Sequence, residues 1–325
     1  MRFVRFLDPF LLALLGAVIL ASFVPARGGA VPLLDAVVAV VIALLFFLYG
    51  VRLRTDEAVA AVTHWRLHSV IFGFTYVVFP LVGLALLALP ESVLPRDLTH
   101  GLVFLTLLPS TVQSSIAFVS IARGNIAGAI VAASASNLLG VILTPVLVAL
   151  LLGSYAGVDA GAIVRIGGQI LAPFILGQIA RRWLIGWVTR HRRVTLFTDR
   201  SVVVLVVYSA FSQGVVAGIW SQVGVRDIVV VLVLSTVILA LVLLATWSVS
   251  GWFGFTREDR ITILMCGSKK SLATGVPIAT VLFPAATLGF IMLPVMIFHQ
   301  LQLVVCSIIA TRMGRTADPI SVQVP

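Results

Sequence analysis

Residues 108–115 (LPSTVQSS) and residues 266–271 (CGSKKS) interrupt two apolar runs with helix-breaking and polar residues. Pro109 has no backbone N–H to donate, and it disfavours a helical conformation at the residue before it. Neither stretch favours a continuous helix in an apolar environment, where every freed backbone group needs a partner. Both stretches are therefore predicted to line a protein-buried or water-filled cavity.

The composition of the whole chain excludes an ordinary soluble fold. Apolar residues make up 60% of the 325 residues and charged residues 10%, whereas a soluble domain carries about a quarter charged residues. The net charge of +10 does not indicate nucleic-acid binding, because the arginines form short clusters between apolar runs. No polar stretch is long enough for a soluble domain, so residues 1–325 are predicted to form one domain within the lipid bilayer.

Apolar runs of about 17 to 25 residues can each cross a ~30 Å hydrocarbon core as a helix. An odd number of spans in each half of the chain would insert the second half upside down relative to the first, as in many secondary transporters. The predicted fold class is an all-α membrane protein with a 5+5 inverted repeat, its halves being approximately residues 1–155 and 160–313. The ten predicted spans are residues 9–25, 33–52, 67–90, 101–122, 126–152, 163–183, 201–220, 226–250, 261–283 and 288–311.

The distribution of basic residues predicts the orientation of these spans. Sixteen lysines and arginines fall on one side of the ten-span arrangement, four fall on the other, and two lie within a span. The side rich in basic residues is cytoplasmic by the positive-inside rule. We therefore expect cytoplasmic N- and C-termini in a bacterial inner membrane, with residues 314–325 as a short tail. The longest extramembrane connector is expected at residues 181–200, as an inside-positive anchor or a contact with anionic lipid headgroups.

The two interruptions are predicted to lie at the same depth. Ser114 precedes Arg123, the cytoplasmic end of the fourth span, by nine residues, and Lys269 follows Arg260, the cytoplasmic start of the ninth, by nine. At ~1.5 Å per residue both positions lie ~13 Å from the cytoplasmic boundary, close to the bilayer midplane. Binding sites of inverted-repeat transporters lie at broken helices in this layer. The sequence thus indicates a secondary transporter with its site at the crossing of the fourth and ninth helices.

The adjacent lysines Lys269 and Lys270 indicate the charge of the ligand. A lysine at the centre of a transmembrane helix costs roughly 2.5 to 3.5 kcal/mol on insertion scales. Snorkelling to the surface is the alternative reading, but a midplane lysine is too far from water. No Asp or Glu lies in a span at this depth, so the partners are hydroxyls, carbonyls, helix ends or a bound organic anion.

Several motifs resemble the bile acid:sodium symporter family, in the same order along the chain. Residues 47–53 (FLYGVRL) resemble its second-helix signature, residues 109–125, ending in ARGN, its fourth helix, and residues 143–145 (LTP) the end of its fifth. The run KKSLA at residues 269–273 resembles the divergent branch around the seventh member of solute carrier family 10 and its uncharacterised bacterial relatives. The resemblance implies a core domain of helices three, four, five, eight, nine and ten, and a panel domain of the other four.

The resemblance also implies uptake of an organic anion coupled to two sodium ions. The family's fourth-helix Ser-Asn pair corresponds to Ser114 and Ser115, and the polar residues of its fifth helix correspond to candidates Ser134, Ser136 and Asn137. The chain departs from the family at other sodium-binding positions. The third-helix Gln corresponds to Thr75, and the ninth-helix Glu and Gln correspond to Leu264 and Ser268.

These departures argue against ordinary sodium coupling. A lysine ammonium within ~4 Å would repel a cation by ~4 kcal/mol at an effective dielectric of 20. We therefore expect Lys269 or Lys270 to replace a sodium ion, with transport by uniport, exchange or proton coupling. A weak sodium site at Ser114 and Ser115, as in an ordinary symporter, stays open as the alternative, and no other cofactor is expected. The predicted binding residues are Thr75, Pro109, Ser110, Thr111, Gln113, Ser114, Ser115, Ser134, Asn137, Ser268, Lys269, Lys270 and Ser271.

Two other classes of membrane protein compete with this interpretation. A membrane enzyme would need an acid, a base and a nucleophile at one depth, and the spans provide no such group. A channel or a non-transporting regulatory protein would need a continuous polar path, whereas the sequence offers one compact polar layer. Gln300 and Gln302 are expected to make interhelical hydrogen bonds. The substrate's identity and the oligomeric state do not follow from the sequence.

Overall fold

The computed structural model describes residues 9–52, 64–156, 167–216, 218 and 222–316 of the chain, and this part contains helices and no strand. The all-α prediction is thus confirmed for the described residues. Irregular turns of π-helix at Phe74–Val78 and Gly167–Leu171, and a 3₁₀ turn at Ala285–Thr287, adjoin the α-helices. In chain order these are α1 (Pro9–Phe23), α2 (Ala30–Arg52), α3 (Trp65–Gly73), α4 (Phe79–Leu86), α5 (Arg96–Leu107), α6 (Gln113–Ile121), α7 (Ile126–Ala156), α8 (Ala172–Arg190), α9 (Arg192–Val216), α10 (Val225–Trp252), α11 (Arg257–Gly267), α12 (Leu272–Leu282) and α13 (Leu288–Arg315).

Several helical segments are long and apolar enough to cross a membrane. Large apolar side chains on them face outward, as Leu33 on α2 and Leu244 on α10 do, which is the pattern of a lipid-facing surface. The protein is therefore a multi-pass membrane protein. In the described part of the chain, the six segments that meet this criterion are Ala30–Arg52, Trp65–Leu86, Ile126–Gly153, Arg193–Val216, Val225–Trp252 and Ala285–Arg315, with Leu12–Phe23 shorter.

The predicted fourth and ninth spans each consist of two short helices separated by non-helical residues. In the fourth, α5 ends at Leu107, Leu108 is extended, and α6 begins at Gln113. In the ninth, α11 ends at Gly267, and the hydroxyl of Ser271 caps α12 by accepting a hydrogen bond from the Thr274 amide (3.2 Å). Such caps satisfy amides that a helix start leaves without an intrahelical partner.

The predicted connector at residues 181–200 has regular secondary structure. These residues are helical, belonging to α8 and α9, and the helix is broken only around His191. Arginine is a good helix former, so a cluster of charges marks the end of a span without ending the helix. Parts of the predicted sixth and seventh spans (163–166, 217, 219 and 220) and most of the predicted tail (317–325) lie outside the described residues.

The ARGN motif joins the ends of the two interrupted spans. Arg123 adopts a left-handed conformation (φ 58°) that terminates α6, and the Gly124 amide donates to the Val119 carbonyl (2.8 Å). The side-chain amide of Asn125 then donates to the Asp259 carboxylate at the start of α11 (2.8 Å). The motif therefore fixes α6 against α11, nine residues from Ser114.

The helices form two groups. A four-helix group comprises α1, α2, α8 and α9, in which α2 packs on α8 and α1 packs on α9. The remaining helices form the main group around α5, α10, α11 and α13. The groups meet where α9 packs on α12, α13 and the 3₁₀ turn. The two interruptions lie in the main group and face the four-helix group.

Candidate functional site

The two interruptions contact each other directly. The Ser271 amide donates to the Pro109 carbonyl (2.8 Å). The Ser110 hydroxyl donates to the Cys266 carbonyl (2.5 Å), and the Ser115 hydroxyl donates to the Met265 carbonyl (3.2 Å). Backbone groups that the breaks release thus find partners across the crossing, as burial away from water requires.

Helix α7 supplies the remaining partners of the broken fourth span. The Ser110 amide donates to the Ser136 hydroxyl (3.0 Å), and the Asn137 side chain donates to the Ser110 carbonyl (2.7 Å). The Asn137 oxygen accepts from the Thr274 hydroxyl (2.5 Å), which links α7 to α12. Asn137 therefore connects both interruptions, while Ser134 lies on the wall of the adjacent cavity.

The ammonium of Lys270 is enclosed by backbone carbonyls. Its Nζ donates to the carbonyls of Thr75 (2.9 Å), Thr106 (2.8 Å) and Leu108 (2.7 Å). The Phe79 ring lies on its other side, with the centroid 4.1 Å from Nζ, in position for a cation–π contact. All three N–H donors of the ammonium are thereby used, and the side chain is buried.

Gln302 on α13 satisfies the backbone of Lys270. Its Oε1 accepts from the Lys270 amide and its Nε2 donates to the Lys270 carbonyl, both at 2.8 Å. Nε2 also lies 3.0 Å from Nδ1 of His299. The sequence indicated interhelical hydrogen bonding by Gln302, but nothing in the sequence connected it to the lysine pair.

Replacing Gln302 with leucine should destabilise the protein by roughly 2 to 4 kcal/mol, because a buried N–H and a buried C=O lose their partners. The measurement is thermal unfolding of the purified protein in detergent. Gln300→Leu is the matched control, since Oε1 of Gln300 is buried without a hydrogen-bond partner in the described part of the chain. Equal melting temperatures for the two variants would contradict this role of Gln302.

Lys269 occupies a different environment from Lys270. Its Nζ makes one hydrogen bond within the described residues, a long one to the Ser114 hydroxyl (3.4 Å). It also lies 4.4 Å from the centroid of the Phe118 ring. The side chain is buried, yet Ser114 and Phe118 both line the cavity. The charge of Lys269 therefore lies immediately behind the cavity wall.

The hydroxyls at the candidate sodium positions form a neutral cluster beside this charge. The Thr111 hydroxyl lies 2.8 Å from that of Ser114 and 2.9 Å from that of Ser115. With Lys269 at 3.4 Å from Ser114 and no carboxylate in the cluster, a sodium ion would be repelled. These residues therefore do not fit a sodium site. The described residues also contain no group of three His, Cys, Asp or Glu that could hold a metal.

Two other predicted positions use their side chains locally. The Thr75 hydroxyl donates to the Ile71 carbonyl (2.8 Å), and the Ser268 hydroxyl donates to the Leu264 carbonyl (2.5 Å). Thr75 contacts the lysine pair through its carbonyl instead. Gln113, by contrast, lines the cavity.

A cavity of about 1390 Å³ separates the two helix groups next to the crossing. Its main-group wall carries polar residues of the interruptions and of α6, α7, α12 and α13. Its other wall carries Arg52, Arg181, Asp199 and Arg200, none of which was predicted from the sequence as a binding residue. The volume suits a small organic molecule. The polar residues on the main-group wall are Thr111, Gln113, Ser114, Ser134, Asn137, Ser271, Thr274, His299, Gln300 and Ser307.

Comparisons with known proteins cover nearly the whole chain. The sequence model of the SBF-like CPA transporter family matches residues 8–315. The chain is 48% identical to an uncharacterised protein of Pseudomonas aeruginosa, PA2026, over 97% of this chain and 95% of that protein. It is 44% identical to "Putative symporter YfeH" of Escherichia coli, over 99% and 98%. It is 29% identical to sodium/bile acid cotransporter 7 of Rattus norvegicus, over 91% and 88%.

Proposed function

This chain belongs to the SBF-like CPA transporter family, as its motifs predicted, and on that premise we propose that it is a secondary transporter of a small organic anion. The family and two of these relatives are named as transporters or symporters rather than enzymes. One relative is named for sodium and bile acid, and the cavity beside Lys269 suits an anion of that kind. The single observation that carries the proposal is this cavity, which extends from an arginine-bearing wall to the crossing of the interrupted helices.

The proposed architecture has ten spans in two inverted halves, approximately residues 1–155 and 160–313. Helix pairs that are equivalent in the two proposed halves make equivalent contacts. The contact of α4 with α5 corresponds to that of α10 with α11, and the contact of α1 with α9 corresponds to that of α8 with α2. The excess of basic residues favours cytoplasmic termini, a tail at 314–325 and a bacterial inner membrane. The cavity then faces the cytoplasm, since Arg52, Arg181 and Arg200 line it. Transport would reverse this opening by movement of the four-helix group against the main group.

The anion would bind at the crossing. Helices α6 and α12 both begin there, so two helix N-termini direct amide groups and partial positive charge at one region. Ser114 and Ser271 offer hydroxyls on the cavity wall. Lys269, hydrogen-bonded to Ser114, adds a full positive charge behind them.

Lys270 would take the place of a sodium ion. Carbonyl oxygens are the donors that a sodium ion uses, and three of them already bind the Lys270 ammonium at 2.7–2.9 Å. The Lys270 ammonium is part of the chain, so this position does not have to bind a cation from solution. The transporter should therefore work without sodium, which separates it from an ordinary sodium-coupled symporter.

The test is counterflow of labelled taurocholate in proteoliposomes, with sodium replaced by choline. We expect counterflow in both buffers and at least about a tenfold loss of affinity in Lys269→Ala, because a buried charge contact is worth more than 1.4 kcal/mol. Ser22→Ala is the control, since Ser22 lies on α1 outside the cavity wall and its hydroxyl donates to the Val18 carbonyl (2.8 Å).

Two outcomes would contradict the proposal in different ways. Counterflow that requires sodium and is unchanged in Lys269→Ala would favour the ordinary symporter mechanism. Absence of counterflow in a folded protein, with every buffer and variant, would favour a non-transporting or regulatory membrane protein.

A further inference from the structure

A second charged site lies on the cavity wall opposite the crossing. Nη1 of Arg52 on α2 lies 2.5 Å from Oδ2 of Asp199 on α9, and their side chains are 25% and 11% exposed. Nη2 of Arg52 and Oδ1 of Asp199 are buried without hydrogen-bond partners in the described part of the chain. A guanidinium and a carboxylate can pair through two parallel hydrogen bonds, and this pair makes one of the two.

Asp199 is the one carboxylate among the described residues that line the cavity. A substrate anion that enters the cavity therefore meets Arg52 already held by a competing anion of the protein. The charged or titratable side chains that share this cavity are Tyr49, Arg52, Arg181, Asp199, Arg200 and His299.

We propose that the substrate's carboxylate or sulfonate displaces Asp199 from Arg52, and that Asp199 then takes a proton from water, so that one anion and one proton move together. This inference rests on the proposed function. One O–H bond forms on Asp199 and one O–H bond of a hydronium ion in the cavity breaks, leaving a water molecule. Arg52 keeps its charge and exchanges one anionic partner for another.

The charge of the site explains why a proton would accompany the anion. The Arg52–Asp199 pair is neutral, and a second anion would leave a net negative charge in a largely buried place, which is costly. Protonation of Asp199 restores neutrality. Because Lys270 already occupies the carbonyl cluster, sodium is not available there to provide the driving force, and the proton would provide it instead.

Titration calorimetry with taurocholate at pH 7, in two buffers of different ionisation enthalpy, measures the proton uptake directly. The sulfonate of taurocholate stays ionised, so any proton bound is bound by the protein. We expect uptake of about one proton per anion in the wild type. Asp199→Asn should bind taurocholate more tightly with almost no proton uptake, and Arg52→Gln should bind it at least about tenfold more weakly.

Asp35→Asn is the matched control. Asp35 accepts a hydrogen bond from Gln213 (2.8 Å) and so links the same two helices, α2 and α9, but it does not line the cavity. The Asp35→Asn variant should therefore take up about one proton per bound taurocholate, as the wild type does. The wild type alone offers a second test, since its dissociation constant for taurocholate should rise with pH, by up to about tenfold per unit.

Three results would overturn the inference. Zero proton uptake by the wild type would show that Arg181 or Arg200 neutralises the anion, and undiminished uptake by Asp199→Asn would assign the proton to another group such as His299. Taurocholate binding without proton uptake leaves the proposed transport function intact. Absence of binding to every protein contradicts the proposed function itself, and this inference with it.

Discussion

Replacing Lys270 with alanine is expected to destabilise the protein by ~3 kcal/mol or more and to make its stability depend on sodium. The carbonyls of Thr75, Thr106 and Leu108 converge on Nζ at 2.7–2.9 Å. Each buried carbonyl left without a donor costs about 1 kcal/mol or more. The vacated position, surrounded by carbonyl oxygens, would then accept a small cation from solution.

Thermal unfolding in sodium chloride and in choline chloride measures both effects. The melting temperature of Lys270→Ala should rise with sodium concentration, because a ligand that binds only the folded state stabilises it. The melting temperature of the wild type should be the same in both salts. Lys269→Ala is the matched control, since within the described part of the chain the neighbouring ammonium makes a single long hydrogen bond, to Ser114. A variant that stays equally stable in both salts would show that the carbonyl cluster is not a cation position.

Counting residues along the chain was enough to predict which segments meet. Ser114 and Lys269 each lie nine residues from an arginine at the same boundary, and their side chains are hydrogen-bonded to each other in the structure. The estimate works because a helix rises by a fixed distance per residue. Proline and adjacent polar residues likewise marked the interruptions, since their effect on a helix is local.

The sequence could not assign roles to the two lysines. Neighbours in a helix point ~100° apart, but Lys269 and Lys270 lie in a non-helical segment whose direction depends on tertiary contacts. Lys270 is bound by main-chain carbonyls, which every residue possesses and no sequence pattern reveals. Thr75 illustrates this, because it was predicted for its side chain and contacts Lys270 through its backbone.

Arg52 shows a second limit of the sequence argument. An arginine at the end of a span is typical of the cytoplasmic boundary, and this role requires no particular partner. Its pairing with Asp199 depends on the packing of α2 beside α9. Residues that are 147 positions apart in the chain cannot be paired by composition or periodicity.

Gly177→Ala is expected to lower the melting temperature by roughly 5 °C or more, because it separates two helices that touch through their backbones. A Cβ at Gly177 on α8 would lie 2.0 Å from the Phe47 carbonyl oxygen of α2, and one at Gly50 would lie 2.0 Å from the Phe174 carbonyl oxygen. No rotamer change can relieve a contact with backbone, so the helices must move apart, at a cost of about 1 to 3 kcal/mol or more.

Gly186→Ala is the matched control for this prediction, because Gly186 lies on the same helix and a Cβ there has no neighbour within 4 Å. Alanine favours a helix over glycine by up to ~1 kcal/mol, so this variant should be as stable as the wild type or more so. Unfolding followed by circular dichroism on both variants measures the difference. If Gly177→Ala were as stable as Gly186→Ala, α2 and α8 could slide past each other freely. The four-helix group could then not move as the rigid unit that alternating access requires.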